Sequence, residues 1–184
     1  MKTPNKILFF LFILCIQFQS CGIFFEEYED DETLPLPIDL KSCTIMNDLA
    51  SLTVSVMENR SEISESALFD TLVLDSSYFI TQSDSNNWEI PIDSICYFII
   101  HAFEQDESNI ISLNSSSEFT LLKNGTDLVT PHNSTVNLRN ISGCTESRLR
   151  LEYKNLSGSY LARLENMSAK SLKMVFLSYS GGNY

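Results

Sequence analysis

Phe119-Thr120-Leu121-Leu122-Lys123, then Asn124-Gly125, then Thr126-Asp127-Leu128-Val129-Thr130: this unbroken stretch decides the fold. Asn-Gly tolerates the positive φ angles of a type I′ turn, and the twist of that turn matches two flanking antiparallel strands. The segment predicts a β-hairpin. Downstream, period-two alternation predicts strands at Thr135 to Ile141, at Arg148 to Lys154 with Leu149, Leu151 and Tyr153 on one face, at Ser159 to Glu165 with Tyr160, Ala162 and Leu164 together, and at Ser171 to Tyr179. Upstream, Ile95 to Phe103 is apolar at both sets of alternate positions, as a central strand covered on two sides must be. Glu89 to Ile92, Tyr78 to Thr81, Leu68 to Leu74 and Leu52 to Met57 extend the series toward the N-terminus.

About nine or ten short strands, separated by Asn, Ser, Gly and Asp, predict an all-β fold, an antiparallel β-sandwich or barrel. Helix is expected only as a turn or two at Thr44 to Ala50 and Ser61 to Ala67. A parallel architecture would need crossover helices of about ten residues or more, and no segment has their periodicity. Residues 42–184 have the size of one domain with enough interior to fold unaided.

Net charge is −12 over 184 residues. A phosphate backbone needs a basic face, so no nucleic-acid partner is expected. The charge is uneven: residues 42–122 hold thirteen acids against Arg60 alone, whereas residues 123–184 hold eight bases against four acids. Cross-strand neutralisation within one domain explains this. A basic patch of Arg148, Arg150, Lys154, Arg163, Lys170 and Lys173 is the alternative.

The N-terminus carries a different message. Lys2 and Lys6 precede Ile7 to Ile16, ten residues without a charge. As helix that run spans about 15 Å, too short for a bilayer core of about 30 Å, so it reads as the apolar region of a signal peptide, residues 1–20. Phe18-Gln19-Ser20-Cys21 resembles the lipobox of bacterial lipoproteins, of Bacteroidota or spirochaete type. The resemblance covers residues 1–22 and implies acylation of Cys21 and anchorage in a cell-envelope membrane, the outer membrane favoured. Cleavage after Gly22, giving a secreted chain, is the alternative. Between Glu26 and Glu32 stand six carboxylates in seven residues, followed by Leu34-Pro35-Leu36-Pro37. Like charges that cannot pack, and prolines that favour extended backbone, predict a tether over residues 21–41. The acidic run also resembles the stretch behind the acylated cysteine of Bacteroidota surface lipoproteins.

Cys15 departs with the signal and Cys21 is taken by lipid, which leaves Cys43, Cys96 and Cys144 with three possible disulfide pairings. Cys96 sits in an apolar run, so Cys43 with Cys144 is the preferred pair.

Chemistry is sparse. His101 and His132 belong to no metal spacing, no C-x-x-C occurs, and no nucleophile elbow, P-loop or dinucleotide motif is present. No catalytic residue, metal or cofactor is expected. Carboxylates are abundant, and a glycoside hydrolase needs only two, but tracts such as Glu104-Asp106-Glu107 read as solvated turns. Seven N-x-S/T sequons stand at Asn59, Asn114, Asn124, Asn133, Asn140, Asn155 and Asn166, half of all asparagines. In a eukaryotic secretory chain these would be glycan acceptors. Asp70-Thr71-Leu72 and Asp93-Ser94-Ile95 resemble the O-glycosylation motif of Bacteroidota envelope proteins.

The sequence thus points to a lipid-anchored envelope protein with a non-catalytic binding, adhesion or structural domain for a protein or glycan ligand. Trp88 and Tyr78 are the candidate ligand contacts, because aromatic rings offer large rigid area. A secreted eukaryotic glycoprotein and a carbohydrate-active enzyme with a carboxylate pair are the alternatives.

Overall fold

The structure, a computed structural model, describes residues 36–48, 50–58, 63–103, 108–136, 147–165 and 170–179. Among them the chain order is α1 (Pro37–Asn47), β1 (Ser51–Thr53), β2 (Met57–Glu58), α2 (Glu65–Leu72), a 3₁₀ turn (Ser76–Tyr78), β3 (Phe79–Thr81), β4 (Asn87–Pro91), β5 (Ile95–Ala102), β6 (Ser108–Leu113), β7 (Glu118–Lys123), β8 (Asp127–Leu128), β9 (Asn133–Val136), β10 (Leu149–Lys154), β11 (Gly158–Glu165) and β12 (Ser171–Tyr179). The signal segment, Cys21 and the acidic run lie outside the described residues.

Two sheets pack face to face, as the sandwich reading expected. One runs β1-β4-β12-β6-β10-β9 and the other β2-β5-β11-β7-β8, with β3 beside β2 on the same edge of β5. The hairpin forms: Asn124 and Gly125 take φ of 54° and 68°, and Leu122 and Lys123 pair with Leu128 and Asp127. Inward side chains form the main core, with Phe98, Ile100, Leu121, Ala162 and Leu164 from one sheet meeting Ile90, Ile111, Leu113, Met174 and Phe176 from the other. Each fully buried Phe contributes about 1.5–3 kcal/mol.

The outer faces of both sheets are apolar as well, and each has a helix over it. Ile38, Ile45 and Met46 of α1 pack on Ile110, Val175 and Leu177. Leu68 and Leu72 of α2 pack on Tyr97, Ile99, Leu122 and Leu161. The domain therefore has four layers, helix, sheet, sheet and helix. Burial of β5 on both faces, expected from its sequence, is explained by core on one side and α2 on the other.

Several expectations are corrected. Leu68 to Leu74, expected as a strand, contains helix: Ser64 caps α2 by accepting from the Ala67 N–H at 3.3 Å, and Leu68 and Leu72 share its buried face. Two residues four apart fit a strand period and a helix period alike, and Leu74, 85% exposed, does not take the inward place that alternation gave it. Helix α1 begins at Pro37, seven residues before the expected turn, because proline at the first helical position suits the fixed φ. Ile38 and Asp39 are buried, so the folded domain takes in residues 37–41 of the expected tether. Leu52 to Met57 is two short strands, one in each sheet, with Val54 buried where the chain crosses. Strand β6 was not expected at all, although it lies in the middle of its sheet. There are twelve strands among the described residues, and the β1–β4 and β3–β5 pairs are parallel. The β3–β5 crossover runs through β4 of the opposite sheet, and the β1–β4 crossover runs through β2, α2 and β3 on the opposite side.

Helix α1 is also held by charge. Arg150 projects from the outer face of β10 and donates from Nε to Asp39 Oδ1 at 2.6 Å and from Nη1 to Glu152 Oε2 at 3.3 Å. Arg150 is 3% exposed and Asp39 8%, so removing Asp39 takes away the shorter of two buried charged hydrogen bonds and leaves Arg150 with Glu152 alone. Asp39→Ala should cost about 2 kcal/mol of stability. Lys41→Ala, which breaks the exposed Lys41–Asp84 pair, should cost less than about 1 kcal/mol, and chemical denaturation compares the two. At the hairpin, a Cβ on Gly125 would lie 2.4 Å from the Glu65 carbonyl oxygen at positive φ. Gly125→Ala should therefore lower stability by about 2 kcal/mol or more in the same experiment.

Candidate functional site

At the end of the sandwich where β4 hands over to β5, turns from both sheets converge. Register places Ser171 opposite Pro91 in one sheet and Glu58 opposite Cys96 in the other. The Ile92 N–H donates to the Lys170 carbonyl at 3.0 Å and ties two of these turns together. Between them is a cleft of about 290 Å³ lined by Val56, Glu58, Pro91, Ile92, Asp93, Cys96 and Lys170. That volume is at the small end of ligand sites.

The lining divides by chemistry. Ile92 and Cys96 are buried, Val56 is half-buried, and together they make an apolar floor. Glu58, Asp93 and Lys170 are exposed at the rim. None of these three charged groups forms an ion pair or side-chain hydrogen bond among the described residues. Burial pushes the Cys96 thiol up to about 12, so it is protonated at neutral pH and a poor nucleophile. Among the described lining residues, Glu58 and Asp93 are the carboxylates available for acid–base chemistry.

The residues singled out in the sequence fall elsewhere. Trp88 on β4 lies in register between Leu52 and Met174 and packs against the main core. Its Nε1 is buried with no hydrogen-bond partner among the described residues. Tyr78 packs with the α2 cluster on the outer face of the other sheet. The two aromatic rings therefore do not share a ligand surface. Cys43 is in a disulfide and Cys96 is a buried free thiol, while Cys144, the expected partner of Cys43, lies outside the described residues.

Three members of the basic set are engaged elsewhere, while Arg148, Lys154 and Lys170 are exposed. Arg150 is buried against Asp39, Arg163 pairs with Glu165 on the other sheet, and the Lys173 ammonium donates to the Met46 carbonyl at 3.3 Å. His101 Nδ1 lies 2.9 Å from Ser159 Oγ, with Phe79 and Phe103 on either side, and His132 is exposed in a loop. No group of three metal-ligating side chains occurs among the described residues. Asn124, Asn133 and Asn155 are exposed, whereas Asn114 is half-buried and its Oδ1 accepts from the Lys173 N–H at 2.9 Å. Asn59, Asn140 and Asn166 lie outside the described residues, as do Glu104, Asp106 and Glu107. Ser94 is exposed in the β4–β5 turn, and Thr71 is exposed on α2 with its hydroxyl donating to the Ala67 carbonyl at 2.8 Å.

In the sequence Asp93 and Lys170 stand out for other reasons, Val56 and Ile92 only as members of expected strands, and Glu58 not at all. Only the strand register brings these separated stretches together, and no local pattern marks it. The cleft yields a direct test: iodoacetamide at pH 8 should leave Cys96 unmodified in the folded protein and modify it fully in denaturant, as read by peptide mass spectrometry. No protein-family model matches this chain, and no match is found among curated proteins.

Proposed function

We propose that this chain is a lipid-anchored cell-envelope protein, acylated at Cys21, whose domain is a non-catalytic binding module. The observation that carries the binding reading is the cleft of about 290 Å³, with its apolar floor and three uncommitted charges, at one end of the packed sandwich core. A rigid sandwich with a preformed hollow suits recognition, since little ordering cost is incurred on binding.

The anchor reading rests on Lys2, Lys6, the apolar run and Phe18-Gln19-Ser20-Cys21. Helix α1 starts at Pro37, so about fifteen residues separate Cys21 from the domain. Fully extended, such a tether reaches about 50 Å, enough to hold the cleft clear of a lipid surface.

A second reading, a secreted N-glycosylated protein, is favoured by the exposure of Asn124, Asn133 and Asn155. One experiment separates the two. The mature native protein should enter the detergent phase, carry acyl mass on an N-terminal Cys21, and lose no mass on N-glycan removal. Cys21→Ala should abolish detergent partitioning. A water-soluble native protein that loses glycan mass would reverse the assignment.

A further inference from the structure

Resting on the reading of the domain as a binding module, the geometry points to a small α-amino zwitterion with an apolar side chain, an apolar amino acid or dipeptide, as the ligand of the Glu58–Asp93–Lys170 cleft. Three features of the cleft specify this chemistry together.

The first is the floor. Ile92 at 5% exposure and Cys96 at 1%, with Val56 and Pro91, make an apolar surface among the described lining residues. Hydrocarbon is the matching ligand chemistry, worth about 0.8 kcal/mol for each buried methylene. The thiol does not change this, because burial holds it neutral.

The second is the arrangement of charge. Glu58 belongs to β2 in one sheet, Lys170 immediately precedes β12 in the other, and Asp93 lies in the turn that joins β4 to β5. Packed sheets stand about 10 Å apart, so Glu58 and Lys170 line the cleft from different sheets. Glu58, Asp93 and Lys170 make no ion pair with each other or with other described residues. Opposite charges from different sheets, left uncommitted, are met together by a ligand that carries both signs.

The third is exclusion. The described lining carries two carboxylates and one ammonium, so a purely anionic ligand meets like charge twice, while the Lys170 ammonium offers a ligand carboxylate a partner that a pure cation does not use. A volume of about 290 Å³ accommodates an amino acid or a dipeptide.

Titration calorimetry on the mature protein tests this with L-leucine and L-leucyl-L-alanine, each compared with its N-acetylated and C-amidated form. At least one of the two zwitterions should bind, and its blocked forms should bind at least about tenfold more weakly, equivalent to about 1.4 kcal/mol. Asp93→Asn and Lys170→Gln alter exposed side chains, so they should fold normally by circular dichroism and weaken the zwitterion by a similar factor. Which zwitterion binds tighter distinguishes a free amino acid from a peptide source. Absence of binding by both up to about 10 mM would overturn the inference. So would equal binding of free and blocked forms, which would leave an apolar binding cleft in place and remove only the zwitterion. The anchor reading is untouched by either result, because detergent partitioning of the Cys21→Ala variant decides it separately.

Discussion

Strands that are apolar on both faces need two covers, and the architecture of this domain follows from that requirement. In β5, Cys96, Phe98 and Ile100 turn to the sandwich core while Tyr97 and Ile99 turn the other way. In β12, Met174 and Phe176 turn inward and Val175 and Leu177 outward. A two-sheet sandwich covers only the inner set. The outer set would leave contiguous apolar surface in water, so α1 and α2 are required by the strands beneath them. Arg150 reinforces the requirement on one side, since its guanidinium lies under α1 and is balanced by Asp39 from that helix and Glu152 from its own strand.

What could be read beforehand was local. Asn124-Gly125 announced its own turn, and the unbroken apolar run from Ile95 announced two-sided burial. What could not be read depended on partners distant in sequence. Strand β6 places Asn109 and Ser112 in buried positions, and their polarity hid a central strand inside what looked like connection. Asn109 accepts a hydrogen bond from the Gln82 side-chain amide, a partner no local pattern reveals. Helix α2 was masked because Leu68 and Leu72 satisfy either period, and Pro37 was ambiguous between extended tether and helix start. The cleft was least legible, because Val56, Asp93 and Lys170 belong to three separate stretches that meet only through the pairing of β2 with β5 and of β4 with β12.

The parallel pairs show how the two sheets are knitted. Between β1 and its neighbour β4 the chain visits β2, α2 and β3, which belong to the far side of the sandwich, and between β3 and its neighbour β5 it returns through β4. The sheets are therefore interleaved in chain order, and neither can be removed as a continuous piece. The same interleaving brings turns from both sheets to one end and closes the walls of the cleft.

Helix α1 is the first described element of the chain, and it rests on β12, the last. A nascent chain emerging from its N-terminus must therefore carry α1 without its full seat until β12 has been made. Arg150 likewise arrives more than a hundred residues after the Asp39 it binds. Closing so long a loop costs more chain entropy than a local contact, so the docking of α1 is among the most non-local steps in forming the domain.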